Sequence, residues 1–172
     1  MSDPCSYKGN WDFSQKTMPE VVKLLKKNAH RFLEFSEASR EDDLHHATDY
    51  VIAFKGGKIA IRVRRPQYEY RDLTIRAYNN GSKTEIHKIL EGFANYYFYG
   101  WTDASNNIKE YILVDLDKLR ESKLLADWQK HIRMNRDGKT GFVIISPFAL
   151  LSCDALIGYE LNQDYMWGRK DA

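Results

Sequence analysis

Arg62 and Arg64 stand two residues apart, followed by Arg65, Arg71 and Arg76, and they are the most conspicuous chemistry in this sequence. A guanidinium is planar, permanently charged and presents paired N–H donors that match a phosphate or carboxylate bidentately. Residues 55–76 hold seven basic side chains against two acidic ones, while the whole 172-residue chain carries a net +2. A basic patch on a nearly neutral body suits an anionic partner. The same run also reads as a solvated, arginine-rich face. Tyr68 and Tyr70 alternate around Glu69 beside these arginines, and a base stacked on an aromatic ring contributes about 1–3 kcal/mol. Arg62, Arg64, Arg65 and Arg76, with Tyr68 and Tyr70, are therefore the candidate phosphate- and nucleic-acid-binding residues.

Other chemistries are weaker. His45 and His46 follow Asp42 and Asp43, but adjacent histidines point in different directions and chelate one ion poorly, so a polar loop is the better reading. No Walker loop, G-x-S-x-G, H-E-x-x-H or heptad run occurs. The two cysteines, Cys5 and Cys153, lie far apart without zinc-type spacing, which fits reduced thiols and a cytoplasmic protein. No stretch approaches the roughly 20 apolar residues that span a bilayer, and the first residues lack the basic-then-apolar pattern of a secretory signal. No membrane partner is expected.

The positioning elements read as alternating α and β. Thr17-Met-Pro-Glu20 resembles a helix start, with Thr17 as cap, Glu20 at the capping-box position and Pro19 in the first turn. Val21, Val22, Leu25, Ala29, Phe32 and Leu33 continue an apolar stripe that fades near Glu37. TDYVIAF then reads as a strand, and Gly56-Gly57 as the positive-φ turn of a hairpin returning through IAIRVRR. In that strand Ile59, Ile61 and Val63 point one way, and Ala60, Arg62 and Arg64 the other. DLTIRAY is a third strand, with Leu73, Ile75 and Ala77 opposite Asp72, Thr74, Arg76 and Tyr78. One face of such a sheet is core and the other polar. Ser82-Lys-Thr-Glu85 predicts a second capping box, opening a helix with Ile86, Ile89, Leu90 and Phe93. The aromatic run at residues 96–101 reads as core packing at the end of that helix. EYILVDL follows as a strand covered on both faces. A helical stretch through Trp128, a turn at Asn135-Arg-Asp-Gly138, the strand GFVIIS and a helix from Pro147 to about Leu156 complete the chain.

This order, α-β-β-β-α-β over about residues 18–116, resembles the core of the PD-(D/E)XK nuclease-like superfamily. The resemblance implies an α/β fold: one domain over residues 1–172, a restriction-endonuclease-like core, and a C-terminal α/β extension over about 117–160. In that superfamily an acidic residue near the start of the first hairpin strand binds a divalent metal, and Asp49 stands at the matching position. A glutamate of the first helix often assists, which points to Glu37 or Glu34. The implied cofactor is Mg²⁺, a hard cation that takes oxygen ligands and stabilises charge on an attacked phosphate.

The chain departs from the family on the second strand, where Glu/Asp-x-Lys is replaced by Arg62-Val63-Arg64. Arginine neither ligates a cation nor acts as a general base. A rearranged site would draw on Asp72, which shares the polar face with the arginines, and on Glu85 and Lys88, neighbours on one helical face. Asp49, Asp72, Glu85 and Lys88 are thus the catalytic candidates, and Asp49, Asp72 and Glu37 the metal ligands. Each also has a plain reading: Asp49 as a loop terminator, Asp72 as an ion-pair partner of Arg62 or Arg76, Glu85 as a capping residue, Lys88 as solvated surface. Two functions follow from the resemblance. One is a Mg²⁺-dependent endonuclease. The other is a catalytically inactive module that binds nucleic acid, DNA rather than RNA, or an acidic protein, in a regulatory, phage or defence role. Monomer and homodimer both remain open.

Overall fold

The computed structural model describes residues 7–37, 50–54, 56–67 and 70–162. Its elements run α1 (Tyr7–Lys27), a 3₁₀ turn (Ala29–Phe32), β1 (Leu33–Glu37), β2 (Tyr50–Phe54), β3 (Ile59–Arg64), β4 (Leu73–Asn79), α2 (Glu85–Leu90), β5 (Tyr96–Thr102), β6 (Ile108–Asp115) and α3 (Leu116–Glu121). Two 3₁₀ turns (Lys123–Leu125 and Trp128–His131) lead to β7 (Arg133–Met134), β8 (Thr140–Ile145), α4 (Pro147–Ser152) and β9 (Leu156–Glu160). The protein is of mixed α/β class. No described helix is long and apolar enough to cross a membrane.

Four strands form the central sheet in the order β3-β5-β6-β9, and three more form a second sheet, β4-β8-β7. β3 and β5 are parallel, with Arg62 beside Tyr99 and Arg64 beside Trp101. β5–β6 and β6–β9 are antiparallel. One face of the central sheet carries Ile59, Ile61, Val63, Phe98, Tyr111 and Leu113, covered by Met18, Val21 and Leu24 of α1. The other carries Tyr97, Tyr99, Trp101, Ile112 and Val114, packed against Leu73, Ile75, Val143 and Ile145 of the second sheet and against Ile86, Ile89 and Leu116. The layers are helix, sheet, then sheet with helices. Because β5 and the C-terminal half of β6 lie in the middle, every residue from Tyr96 to Thr102 and from Tyr111 to Asp115 is buried. The continuous apolar run of β6 is what a strand covered on both faces requires.

Several local expectations change. α1 starts ten residues before Thr17, which is buried in mid-helix; its hydroxyl donates back to the carbonyls of Phe13 and Ser14 at 3.1 and 3.2 Å. A threonine hydroxyl satisfied this way no longer marks a helix start. Glu20 instead accepts the Ile108 N–H at 2.6 Å and fastens the helix to the start of β6. The helix ends at Asn28, not near Glu37. The Asn28 side chain is buried, donating to the Leu24 carbonyl at 2.8 Å and the Tyr111 hydroxyl at 2.9 Å, and residues 33–37 form a strand.

β2 pairs with β1 rather than with β3, and β3 pairs with β5. Gly56 and Gly57 do not adopt positive φ, whereas Gly81, Gly92 and Gly138 do. Gly57 answers a different need. A Cβ there would lie 2.9 Å from Asn95 Oδ1, and Asn95 clamps this strand entrance by accepting from the Lys58 N–H at 3.1 Å while donating its own N–H to the Lys58 carbonyl at 2.9 Å. The aromatic run at 96–101 is core, as read, but as a strand and not a helix end. The last helix stops at Ser152 rather than at about Leu156, and β9 begins at that expected end.

Candidate functional site

The arginine face of β3 looks into the gap between the two sheets, not into solvent. Arg62 Nη1 lies 2.8 Å from Glu85 Oε2 and donates to the Thr74 carbonyl at 3.2 Å. The same Glu85 oxygen accepts the Arg76 N–H at 2.9 Å, and its other oxygen accepts a short hydrogen bond from the Tyr97 hydroxyl. Arg64 Nε donates to the Tyr99 hydroxyl at 2.5 Å, and its Nη2 makes a short bond to Thr74 Oγ1, itself 2.6 Å from Tyr99 OH. Arg65 turns the other way, onto α1. It donates to the Gly9 carbonyl and Asn10 Oδ1, each at 3.1 Å, with its guanidinium 4.7 Å from the Phe13 ring centroid. Arg71 pairs with Glu110 and lies 5.6 Å from the Trp101 ring.

These contacts answer the question raised by the arginines. A guanidinium entering a partly dry gap must recover its lost hydration through charge and hydrogen bonds. Burial works against the charge of Arg62, but Tyr97, Glu85 and Tyr99 outweigh it and its pKa lies above the ordinary value. Burial pushes the Tyr97 hydroxyl well above its usual range; Arg62 opposes that rise and Glu85 adds to it. The group is an arginine cation, a glutamate and a neutral tyrosine donor bridging both sheets and α2.

Glu85 is free for this role because the helix is capped elsewhere. α2 has Thr84, not Ser82, at its N-cap. His87 Nδ1 lies 3.3 Å from the Thr84 N–H and 2.8 Å from its hydroxyl. The expected box at Ser82 and Glu85 is thus displaced by two residues, leaving Glu85 in the first turn facing β3.

Beside this group opens a cleft of about 330 Å³ between β3, β4 and α2. Its lining includes Arg62, Arg76, Lys83 and Lys88 as cations and Glu85 as the one carboxylate, with Tyr97 and Phe93 as aromatic walls. Arg76 and Lys88 are exposed. Lys83 pairs with Glu91. Arg62, Arg76, Glu85 and Lys88 are thus brought together, while Arg64 and Arg65 do not line this cleft. Lys83 and Phe93 were not anticipated as site residues. Periodicity places Phe93 on the helix stripe, although Gly92 before it is a helix-stop signal that frees the next residue from that stripe.

Asp72 does not share the cleft. It precedes β4 near Arg133; burial raises its pKa, and Arg133 counteracts that rise. A carboxylate with a raised folded-state pKa lowers stability as pH climbs through that range. Asp72→Asn is therefore expected to raise the thermal midpoint slightly at pH 7 and to leave it unchanged at pH 3, measured by scanning calorimetry at both pH values. Tyr70 is 66% exposed and outside the cleft lining. Asp49, Tyr68 and the Glu37 side chain lie outside the described residues. Among the described residues, no group of three His, Cys, Asp or Glu side chains could hold a metal ion. Comparison with protein-family models found no match, and neither did comparison with curated proteins.

Proposed function

We propose that this chain binds nucleic acid through the cleft between β3, β4 and α2. The carrying observation is the excess of positive charge there: of the four lining cations Arg62 pairs with Glu85 and Lys83 with Glu91, and Arg76 and Lys88 stand in excess of those pairs. Arg76 and Lys88, exposed at this cleft, are the groups placed to meet a phosphodiester backbone. Cations beside a concave surface attract polyanions and release their counterions on contact. Arg62 supports the site from beneath, and Arg64 and Arg65 act as structural ties between layers.

The restriction-endonuclease-like frame implied by the resemblance belongs to the same proposal, in its non-catalytic form. Glu85 commits both oxygens to Arg62, the Arg76 N–H and Tyr97. Glu85, the alternative to Asp72 as the partner of Asp49 at Mg²⁺, is therefore spoken for within the fold, and Asp72 lies near Arg133.

The test is a salt titration of binding to a labelled oligonucleotide. Each phosphate contact contributes about 0.7–0.9 to the slope of log affinity against log salt. Arg76→Ala with Lys88→Ala should therefore flatten the slope by roughly 1.4–1.8 and weaken binding at low salt. Binding that ignores both salt and the double substitution would sink the reading and point to another class of partner. The same strands should survive incubation with Mg²⁺ or Mn²⁺. Cleavage abolished by Asp49→Ala would restore the endonuclease instead.

A further inference from the structure

Phe93 is large and apolar, yet 67% exposed, in a protein that buries most of its aromatic strand residues. Its position follows from how α2 ends. The Gly92 N–H bonds to the Ile89 carbonyl and the Phe93 N–H to the Lys88 carbonyl, both at 3.0 Å, with Gly92 at φ +73°. This is the Schellman arrangement, which reverses the chain and holds the residue after glycine in a set place. In that motif the residue after glycine commonly packs on an apolar side chain in the helix's last turns. Here the partner positions are Lys88 and His87, and His87 is turned edge-on to the Trp128 ring at 5.3 Å. Phe93 therefore lacks the apolar partner that this motif commonly supplies. Its ring lines the cation cleft, with Lys58 Nζ 6.0 Å from the centroid.

We infer that the cleft takes single-stranded nucleic acid, one unpaired base stacking on Phe93 while the adjoining phosphates meet Arg76 and Lys88. The inference rests on the nucleic-acid reading above and specifies its substrate. A duplex keeps the faces of its bases stacked inside, so an aromatic ring displayed beside phosphate-binding cations has a π-face to meet only in an unstacked strand. The volume agrees, since about 330 Å³ is near the lower bound of small-ligand pockets, roughly 300–1,000 Å³. That is room for a nucleotide, whereas reading a duplex groove requires an element that protrudes. Lys58 Nζ lies over one face of the ring, so the base would stack on the other face, with that charge near the adjoining phosphates. Every base offers a π-face, so the site is tolerant of sequence.

Fluorescence anisotropy can test this with labelled oligo-dT and oligo-U of about 12 nucleotides, within the usual range for such sites, and a duplex of equal length. Phe93→Ala should weaken single-strand binding roughly 5- to 150-fold, the loss of one stack. The salt slope should stay unchanged, because no phosphate contact is removed. Phe93→Trp should keep the affinity and show fluorescence quenched by the strand, relative to the parent protein. If Phe93→Ala binds single strands like the parent while Arg76→Ala with Lys88→Ala weakens them, the stacking inference is wrong and the nucleic-acid reading stands. Duplex bound more tightly than the single strand would likewise overturn it. If neither form binds at low salt, both proposals fall.

Discussion

Glu85→Ala is expected to destabilise the fold by about 3–5 kcal/mol, the range for removing one partner of a buried ion pair. The side chains of Arg62 and Glu85 retain only 25% and 22% exposure. Without the carboxylate, the Arg62 guanidinium keeps the Thr74 carbonyl at 3.2 Å and its bond with Tyr99, while the Tyr97 hydroxyl and the Arg76 N–H lose their acceptor. For a chain of this length the midpoint of thermal unfolding should fall by roughly 6–20 °C. Glu85→Gln should cost less than Glu85→Ala, because its one amide oxygen still accepts from either the Tyr97 hydroxyl or the Arg76 N–H, which bond to different oxygens of Glu85. Replacing both partners, Arg62→Met with Glu85→Leu, should recover much of the loss, since no uncompensated charge remains. A double-mutant cycle separates the pair from its neighbours. Should Glu85→Ala unfold within about 0.5 kcal/mol of the parent, as a surface substitution does, the network is not the tie described.

The second large effect contrasts two phenylalanines five residues apart. Phe98 is 1% exposed, stacked on Tyr111 at 5.4 Å between the central sheet and α1. Removing its ring deletes buried area and leaves a cavity in a layer that cannot close, so Phe98→Ala is expected to cost about 3–5 kcal/mol. Phe93, 67% exposed, belongs to neither core cluster, and Phe93→Ala should stay within about 0.5 kcal/mol when both variants are unfolded by urea. Phe93 matters for ligand and Phe98 for the fold. Equal losses for the two would contradict the layering that separates them.

The change at Glu85 also shows how the site and the fold share one set of groups. Arg62 lines the cleft, pairs with Glu85 and bonds the Thr74 carbonyl of the facing sheet. Arg62→Ala would remove positive charge from the cleft and a tie between layers at once. Arg76 and Lys88, exposed and outside the core, are the cleaner probes of binding for that reason.

Much of this was legible before any tertiary contact was known. Alternation in β3 and β4 separated Ile59, Ile61 and Val63 from Arg62 and Arg64, and Leu73, Ile75 and Ala77 from Arg76 and Tyr78, because side chains on a strand alternate with period two. The burial of β4 follows that pattern residue by residue. The apolar run of β6 announced a strand covered on both faces, and the three-residue spacing of Glu85 and Lys88 made them neighbours on one helix.

What the chain alone left undecided was which elements become partners. Period two says which face a residue occupies, not which strand lies beside it. Gly56-Gly57 suggested a local hairpin, but β3 finds its neighbour in β5, 37 residues onward in register, with Gly57 giving room for Asn95. That choice turned the arginine face from solvent toward the second sheet. It converted Arg62 and Arg64 into inter-layer ties and left the exposed cation chemistry to Arg76 and Lys88. The aromatic run at 96–101 lacked alternation because both of its faces are buried, which removes the polar half of the signal. The sequence determined faces, turns and the supply of charge. Only tertiary structure decided which charges would be consumed in holding the layers together and which would remain at a cleft.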